Sequence, residues 1–509
     1  MSDAKTHSPW IETTGNTHYS ALDCDISVDV AIVGAGIAGL TAAVLLKTAG
    51  KKVAVLEKSS IAGGETGYTT AHITEVCDAR FQDLESNFGS DGVKKVVSSV
   101  RESRVLMEKW ILEFGIDCDF KRLPGYLYLN RDKEDLEWLR KELAAARSAG
   151  VAAGWVSEAP LPFQTGAAIM FENQAQFHPR KYLLPLARWV QGDGSAIYEN
   201  TPADEFHDGE PCRIHTPRGT VTAKDVIVAA YSPVCNWLFL HTKLPAYRSY
   251  AIGAKLRKAS GLKALFWDTE DPYHYIRSHI DEKEGELLIV GGEDHRTGTK
   301  ENTGECFERL KEYTRQRFDV ESIPYEWSGQ ILEPLDGLPY IGLNSMSKHT
   351  YVATGFSGTG MTFGTLSGII LSDLIVKGEN KYAELYDATR FHPLAAAGKF
   401  VTENMDVPKY FVGDRLAHVA DSLDTVQPGE GKWVKVNGEK IAVHRDNEGT
   451  LHGCAAECTH MGCYVHWNNA EKTWDCPCHG SRFDPDGKVI TGPAITDLKK
   501  VELPQPAHH

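Results

Sequence analysis

The chain has 509 residues and a mass of 56.2 kDa, enough for about three domains of ~150 residues each. Hydrophobic residues make up 42% and charged residues 24%, which excludes a mainly disordered chain. The net charge of −15 argues against nucleic acid or an anionic membrane surface as the main partner. We find no apolar run near the ~20 residues that cross a bilayer, and residues 1–27 are polar. We therefore expect no membrane span and a cytoplasmic location.

The first strong pattern is a strand–helix–strand unit with a glycine-rich turn. Apolar runs predict buried strands at 28–33 and 53–57, with a helix at 37–48 between them. The turn carries G-x-G-x-x-G, in which small residues permit a tight turn, a close approach to a pyrophosphate and close packing of helix on strand. An acid ends the second strand, where it can accept hydrogen bonds from ribose and would repel a 2′-phosphate. The predicted dinucleotide site comprises Gly34, Ala35, Gly36, Ile37, Ala38, Gly39 and Glu57.

Two later segments distinguish FAD from NAD. The acid is followed by Lys58 and then by Gly-Gly-Glu-Thr-Gly-Tyr-Thr-Thr-Ala-His at 63–72, and Gly-Phe-Ser-Gly-Thr-Gly-Met-Thr stands at 355–362. This order resembles the FAD oxidoreductases of the D-amino-acid oxidase and glycine oxidase class, over about 28–390. The resemblance implies non-covalent FAD, because the family's covalent linkage positions are not clearly matched. The implied contacts are Lys58, Gly64, Glu65, Thr66, Thr69, Thr70, Ala71, Gly358, Thr359, Gly360, Met361 and Thr362.

The backbone amides of 358–362 stand at the start of a predicted helix, 360–376. There they could stabilise negative charge on reduced flavin. The alternative interpretation of the glycines at 355–360 is a turn that lets the helix pack closely on its neighbours.

The resemblance also implies an architecture. We expect an α/β FAD-binding Rossmann-like domain with an inserted α+β substrate domain, followed by a C-terminal all-β domain of short strands and turns. Further helices are predicted near 91–114, 134–149, 179–191 and 305–317. The expected boundaries are an N-terminal extension at 1–27, FAD-binding segments at 28–79, 166–239 and 331–390, substrate segments at 80–165 and 240–330, a linker at 391–410 and the all-β domain at 411–505.

The all-β segment carries the most specific motif in the chain. Cys-x-His at 458–460 and Cys-x-x-His at 476–479 offer two thiolates and two imidazoles, a donor set that zinc could also use. The full strings Cys-Thr-His-Met-Gly-Cys and Cys-Pro-Cys-His-Gly-Ser resemble the Rieske iron–sulfur proteins over about 411–505. The resemblance implies a [2Fe–2S] cluster, with Cys458 and Cys476 on one iron and His460 and His479 on the other. It also implies a disulfide between Cys463 and Cys478.

A two-electron flavin and a one-electron cluster in one chain form an electron relay. The resemblance implies an enzyme that oxidises an amine or amino acid at FAD and passes electrons through the Rieske centre to an external one-electron carrier. Arg277 could hold a substrate carboxylate, and His72 could face the flavin ring, so both are candidate catalytic residues. A structural arginine and a supporting histidine are the alternatives.

Two other hypotheses stay open. Electrons could flow in the opposite direction, from a ferredoxin-like donor through the Rieske centre to a flavin that reduces or monooxygenates a substrate. The chain could also be a non-catalytic redox sensor, although a sensor need not keep a substrate domain. A single dinucleotide pattern argues against direct oxidation of NADH at a second Rossmann domain.

Overall fold

The computed structural model describes residues 8–130, 135–232, 240–281, 285–390 and 410–504, apart from 412, 416, 418 and 421. Nearly all of the predicted linker at 391–410 lies outside the described residues, as do 233–239. The described residues contain four β-sheets. Two large sheets build the first part of the chain, and two small ones build the C-terminal part. We call these the flavoprotein part and the C-terminal part.

The strand–helix–strand unit lies in the middle of an eight-stranded, largely parallel sheet. Its first strand pairs in parallel with its second on one side and with a later strand on the other. The strand interior is buried on both faces, which explains the continuous apolar runs. The order is Tyr340–Leu343, Thr350–Thr354, Gly219–Val228, Ile26–Val33, Val53–Leu56 and Ala196–Tyr198, with Cys212–Thr216 and Glu205–His207 added antiparallel beside Gly219–Val228.

The second sheet has nine strands and is mainly antiparallel. Its order is Val320–Leu332, Ala246–Leu256, Gly285–Arg296, His274–Asp281, Leu265–Asp268, Lys121–Tyr128, Ala168–Gln176 and His72–Ile73, with Ala153–Val156 on Ala168–Gln176. Two strands of this sheet, His72–Ile73 and Ala168–Gln176, come from segments that the sequence predicts to belong to the FAD-binding domain. Ala168–Gln176 pairs with Lys121–Tyr128 and His72–Ile73 pairs with Ala168–Gln176, and the sequence pattern does not encode this pairing.

The helices agree with the sequence periodicity. They run over Pro9–Thr14, Ile37–Thr48, Glu65–Tyr68, Phe81–Glu113, Leu136–Ser148, Pro179–Val190, Gly304–Arg317, Gly360–Lys377 and Ala383–Tyr386, with 3-10 turns at His241–Lys243, Ser357–Thr359 and Leu423–Thr425. Phe81–Glu113 is bent at Gly89, where φ is 70°. The helices predicted near 91–114, 134–149, 179–191, 305–317 and 360–376 are confirmed.

One helix has the length and mean hydropathy of a membrane span, although the sequence shows no continuous apolar run. Ser357–Lys377 meets both criteria, and 72% of its most apolar window is buried inside the protein. The helix Gly360–Lys377 packs on the helix Ile37–Thr48, as a core helix does. Its small Gly, Ser and Thr residues interrupt the apolar residues, which is why the sequence does not show one continuous run.

The C-terminal part consists of two small antiparallel sheets. Gly431–Val436, Glu439–Arg445 and Leu451–Ala455 form one, and His466–Asn468, Thr473–Asp475, Arg482–Phe483 and Val489–Thr491 form the other. The buried core between them includes Trp474, Phe483 and Leu498. The motif cysteines lie in loops and are buried in the same core.

Candidate functional site

The glycine-rich turn leaves space at the start of the helix Ile37–Thr48. A Cβ at Gly39 would lie 1.9 Å from the carbonyl oxygen of Gly34, so helix and strand approach too closely for any side chain there. A Cβ at Gly36 would meet the Thr66 hydroxyl at 2.9 Å and no backbone atom within 4 Å. The helix N-terminus is thus open to a pyrophosphate, as FAD requires. Glu57 Oε2 accepts a hydrogen bond from Ala35 N at 2.9 Å, so the predicted ribose acid lies beside the turn.

The segment predicted to wrap the flavin forms a compact loop. Thr66 Oγ1 accepts from Ile37 N at 3.2 Å, and Thr69 Oγ1 accepts from Ala71 N at 3.0 Å. Glu65 turns to the second sheet, where its Oε2 accepts from Gln330 N at 2.7 Å. Burial raises the pKa of Glu65, while the charge of Arg248 lowers it.

Lys58 and Arg277 both donate to backbone carbonyls of other segments. The Lys58 ammonium donates to the backbone carbonyl of Ile490, in the C-terminal part of the chain. Arg277 is fully buried, and its Nη1 donates to the carbonyls of Thr70 at 2.8 Å and Ala71 at 2.9 Å. Arg277 therefore holds the backbone of residues 70–71, in the segment predicted to wrap the flavin, and its role as a clamp on a substrate carboxylate stays a prediction.

The predicted flavin-facing turn lies next to an acidic residue that the sequence did not single out. Gly358 N donates to the Asp78 carboxylate, immediately before the helix Gly360–Lys377. A buried hydrogen bond also holds the start of this helix, because Thr362 Oγ1 donates to the Thr74 carbonyl at 3.2 Å. Burial raises the pKa of Asp78, whereas the Gly358 amide and the charge of Arg80 lower it.

Aromatic rings surround His72 close to this turn. Its ring centroid lies 5.7 Å from that of Trp267 and 5.9 Å from that of Tyr275, and Tyr273 lies 5.8 Å from Tyr275. His72 Nδ1 is 3.1 Å from Thr70 Oγ1. Burial, followed by the charge of Arg277, lowers the pKa of His72 to about 3, so this histidine is neutral at physiological pH. A neutral, 8% exposed imidazole can accept or donate one hydrogen bond toward a ligand.

A second acid lies near the tyrosines. Burial, opposed by a hydrogen bond from Ser249 and assisted by the charges of Glu333 and Asp78, raises the pKa of Asp294 to about 8. Asp294 Oδ1 has no hydrogen-bond partner within the described residues. No motif in the sequence signals Asp78, Asp294 or Glu333, because they come from three separate segments.

The Rieske-like motif forms two facing loops. Cys458 N donates to the Cys463 carbonyl at 2.8 Å, and Cys476 N donates to the Ser481 carbonyl at 2.8 Å. Cys463 and Cys478 form the disulfide that joins the loops, with an S–S distance of 2.00 Å. That pairing, implied by the resemblance, is therefore confirmed.

The remaining donors fit an iron–sulfur cluster. Cys458 and Cys476 are buried free thiols, and the His460 and His479 ring centroids are 5.0 Å apart. His479 Nδ1 is buried and has no hydrogen-bond partner among the described residues, as expected of a nitrogen reserved for a metal. Cys463, Cys476 and Cys478 also lie within 4.8 Å of one another, but the disulfide removes two of those thiolates.

The cluster loops pack directly on the flavoprotein part. Gln330 Nε2 donates to the Gly480 carbonyl at 2.8 Å, next to His479. Arg248 Nη2 lies 2.5 Å from Glu471 Oε1, and Thr303 Oγ1 lies 2.7 Å from Asn469 Oδ1. These contacts hold the C-terminal part on the second sheet.

Comparisons with known proteins agree with both halves of this arrangement. Residues 29–374 match the family described as FAD dependent oxidoreductase, and residues 417–502 match the Rieske [2Fe-2S] domain. The chain belongs to the FAD dependent oxidoreductase family and carries a C-terminal Rieske domain. The oxidoreductase is 32% identical over 497 residues to the Rieske 2Fe-2S iron-sulfur protein YhfW of Bacillus subtilis (strain 168), covering 97% of each chain.

A further relative and a solved structure each match about 72–73% of this chain. The gamma-glutamylputrescine oxidoreductase of Escherichia coli (strain K12) is 24% identical over 387 residues, 73% of this chain and 88% of its own. The structure of glycine oxidase from Geobacillus kaustophilus superposes with a TM-score of 0.61 at 19% identity, over 72% of this chain and 99% of that one. That structural likeness establishes the fold.

These findings confirm the expected fold class, FAD and a Rieske [2Fe–2S] cluster as cofactors, and an oxidoreductase enzyme. The domain boundaries, the individual cofactor-binding and ligand residues, the non-covalent attachment of FAD and the cytoplasmic location stay predictions. With the cofactors bound, FAD supplies a two-electron acceptor and the cluster a one-electron carrier.

Proposed function

We propose that the oxidoreductase oxidises the C–N bond of an amine or amino acid at FAD and passes electrons singly through the Rieske cluster to an external carrier. One observation carries the proposal: Gln330 contacts both the segment predicted to bind FAD and the loop of the predicted cluster ligand His479. Its side chain donates to Gly480 beside His479 at 2.8 Å, and its backbone N donates at 2.7 Å to Glu65 in the flavin-wrapping segment. A cluster seated this way is suited to take electrons from the flavin of its own chain.

The charges near the predicted flavin site favour an amine as substrate. Burial raises the pKa of the Tyr273 hydroxyl, and the charges of Asp78, Asp294 and Glu333 raise it further, so these acids are near enough to act on one hydroxyl. Arg277 is engaged with backbone carbonyls and offers no obvious partner for a substrate carboxylate. A cationic amine would be attracted by the ionised forms of these carboxyl groups. The name of the Escherichia coli relative, a gamma-glutamylputrescine oxidoreductase, supports the same class.

Anaerobic mixing of the protein with candidate substrates tests the direction of electron flow between flavin and cluster. We expect a panel of monoamines, diamines and amino acids to include compounds that bleach the flavin absorbance, after which the EPR signal of the reduced cluster appears. Bleaching by reduced ferredoxin and by none of these compounds would contradict the proposal and favour the reversed current.

Substitution of Asp294 tests the substrate class. Because a carboxylate attracts a cation only when ionised, and the pKa of Asp294 is about 8, we expect KM for a cationic amine to fall as pH rises through 8. Asp294→Asn should raise KM about tenfold and remove this dependence, with a smaller change in kcat. Steady-state kinetics against pH provide the measurement. The control is Asp319→Asn, which alters an exposed pair with Arg257.

An unchanged KM and pH profile in Asp294→Asn would remove this carboxylate from substrate binding. A neutral N-acyl analogue of the best amine separates charge from shape, since its KM should not respond to the substitution.

A further inference from the structure

One residue of the flavoprotein part, His241, packs against the predicted cluster ligand His460. His241 begins the short turn His241–Lys243 and is only 7% exposed. Its ring centroid lies 5.0 Å from that of His460, with the ring planes at 78°. His460 in turn lies 5.0 Å from His479, with the planes at 90°. Three imidazoles thus pack edge to face in a row, and only the last two belong to the predicted ligand set.

The turn that carries His241 is packed against the predicted flavin-facing segment. Leu244 follows the turn, and its Cδ2 would lie 2.7 Å from a Cβ at Gly355. Pro334 closes the same space, with its Cγ at 2.8 Å from that position, and Gly355 has φ of +75°. Gly355 opens the segment 355–362. The turn that begins at His241 is therefore followed directly by a residue, Leu244, that packs on the start of that segment.

The other cluster loop has a contact of its own. Gln330 Nε2 donates to the Gly480 carbonyl, and Ala246 Cβ lies so close that a Cβ at Gly480 would be only 2.3 Å from it. The loop with Cys476 and His479 is thus held by Gln330. The loop with Cys458 and His460 meets the flavoprotein part through His241. Both contacts lead to segments that the sequence assigns to the flavin.

We infer that His241 is a positioning residue for electron exchange within the chain: it seats His460 and His479 against the flavoprotein part, where flavin and cluster exchange electrons. The inference rests on the proposed function in that both centres serve one relay, and it holds for either direction of the current. One electron leaves one centre and enters the other, so the step needs no further reactant. Because electron transfer weakens steeply with distance, loss of this seating slows the exchange.

Flash photoreduction of the holoenzyme tests the inference without any substrate. An external photosensitiser delivers one electron, and the absorbances of flavin and cluster follow its redistribution. We expect His241→Ala to slow this redistribution about tenfold, because His460 loses its contact with the flavoprotein part. His241→Phe keeps an aromatic ring at the contact and should restore most of the rate. The matched control is His207→Ala, at an exposed histidine of the first sheet.

A spectroscopic measurement accompanies the rate. The EPR g-values of the chemically reduced cluster should shift in His241→Ala, since His460 is no longer held in one orientation, and stay unchanged in His207→Ala. Iron and flavin contents are measured first, and His241→Gln replaces any variant that has lost a cofactor.

The outcomes distinguish this inference from the proposed function. Equal redistribution rates in the wild type and His241→Ala, with both cofactors retained, would overturn the inference. Failure of every amine to reduce the wild-type flavin would instead contradict the proposed function. It would leave the photoreduction result valid, because that experiment uses no substrate.

Discussion

Gly36 borders the space in front of the helix Ile37–Thr48, and a side chain there would enter it. Its Cβ would meet the Thr66 hydroxyl at 2.9 Å, and the γ-methyl groups of a valine would reach toward the pyrophosphate position. We expect Gly36→Val to lose FAD, measured as flavin absorbance after gel filtration. Gly154→Val is the control, because a Cβ there meets only Met170 Cε, at 3.9 Å. Full retention of FAD would refute the assignment of the turn.

His479 offers an equally local test of the ligand set. Replacing this imidazole by a thiolate should lower the reduction potential of the cluster and move its EPR spectrum away from the Rieske type, since histidine ligation raises the potential. The measurement is EPR of the reduced His479→Cys protein, with His207→Cys as the control. An unchanged spectrum would exclude His479 from the ligands.

Residues whose role follows from neighbours in the sequence could be predicted, and those whose role follows from packing could not. The glycines at 34–39 and the donors at 458–460 and 476–479 each form a short string with one chemical purpose. Arg277 looks like a carboxylate clamp in the sequence, yet the carbonyls of Thr70 and Ala71 occupy its Nη1. His241 carries no motif at all, because its partner His460 is distant in the chain.

At the scale of elements, one buried ionic cluster joins the loop after the strand His466–Asn468 to the second sheet. Glu471 Oε1 lies 2.5 Å from Arg248 Nη2 and 3.0 Å from Arg482 Nη2. Burial alone would raise the pKa of Glu471, but the two guanidinium groups lower it to about 2. The carboxylate is therefore ionised in the folded protein down to strongly acidic pH.

This cluster predicts an acid-dependent loss of stability. A carboxyl group whose folded pKa lies below its unfolded value of ~4.3 stabilises the fold above that value, and the contribution is lost as pH falls toward 2. Glu471→Gln should lower the free energy of unfolding by about 3 kcal/mol at neutral pH, because two buried arginines lose a partner. Its melting temperature should also fall less steeply with acid. Thermal melts at several pH values provide the measurement.

Glu305→Gln serves as the control for this prediction. Glu305 is 56% exposed and forms a long ion pair of 3.8 Å with Arg309, so its replacement should change stability by less than ~1 kcal/mol. If Glu471→Gln melted like this control at every pH, the ionic cluster would not stabilise the contact between the two parts.

Elements with a clear hydrophobic period were predictable, whereas sheet membership was not. The helix at Leu136–Ser148 follows from its amphipathic pattern. The strand Ala168–Gln176 is visible as an element, but only its pairing with Lys121–Tyr128 places it in the second sheet. Strand pairing between distant segments depends on tertiary packing, which no local pattern contains.

At the scale of the whole molecule, the relay predicts what remains after the cluster is lost. Cys476→Ser should remove the cluster but leave the two large sheets folded, because they have their own buried cores. The substrate should still bleach the flavin in one turnover, while steady-state turnover with a one-electron acceptor collapses. The measurements are stopped-flow absorbance and acceptor reduction. Cys454→Ala, at a buried cysteine outside the predicted ligand set, should keep both activities.

Sustained turnover in Cys476→Ser would mean that the flavin delivers electrons to the acceptor directly. Loss of flavin reduction itself would point to a reversed current, or to a single active site built by both parts.

The tight contact between the two parts limits how the chain can be recombined with other electron carriers. A Cβ at Gly298 would lie 2.8 Å from both the Asp475 carbonyl oxygen and Pro477 N, and one at Gly480 would lie 2.3 Å from Ala246 Cβ. Each part thus places a glycine, which has no side chain, where it contacts the other part. A Rieske module grafted from another protein would seat here only if it brought its own glycine at position 480 and the host kept Gly298. Exchange of modules between such enzymes therefore depends on one glycine in each part as much as on cofactor chemistry.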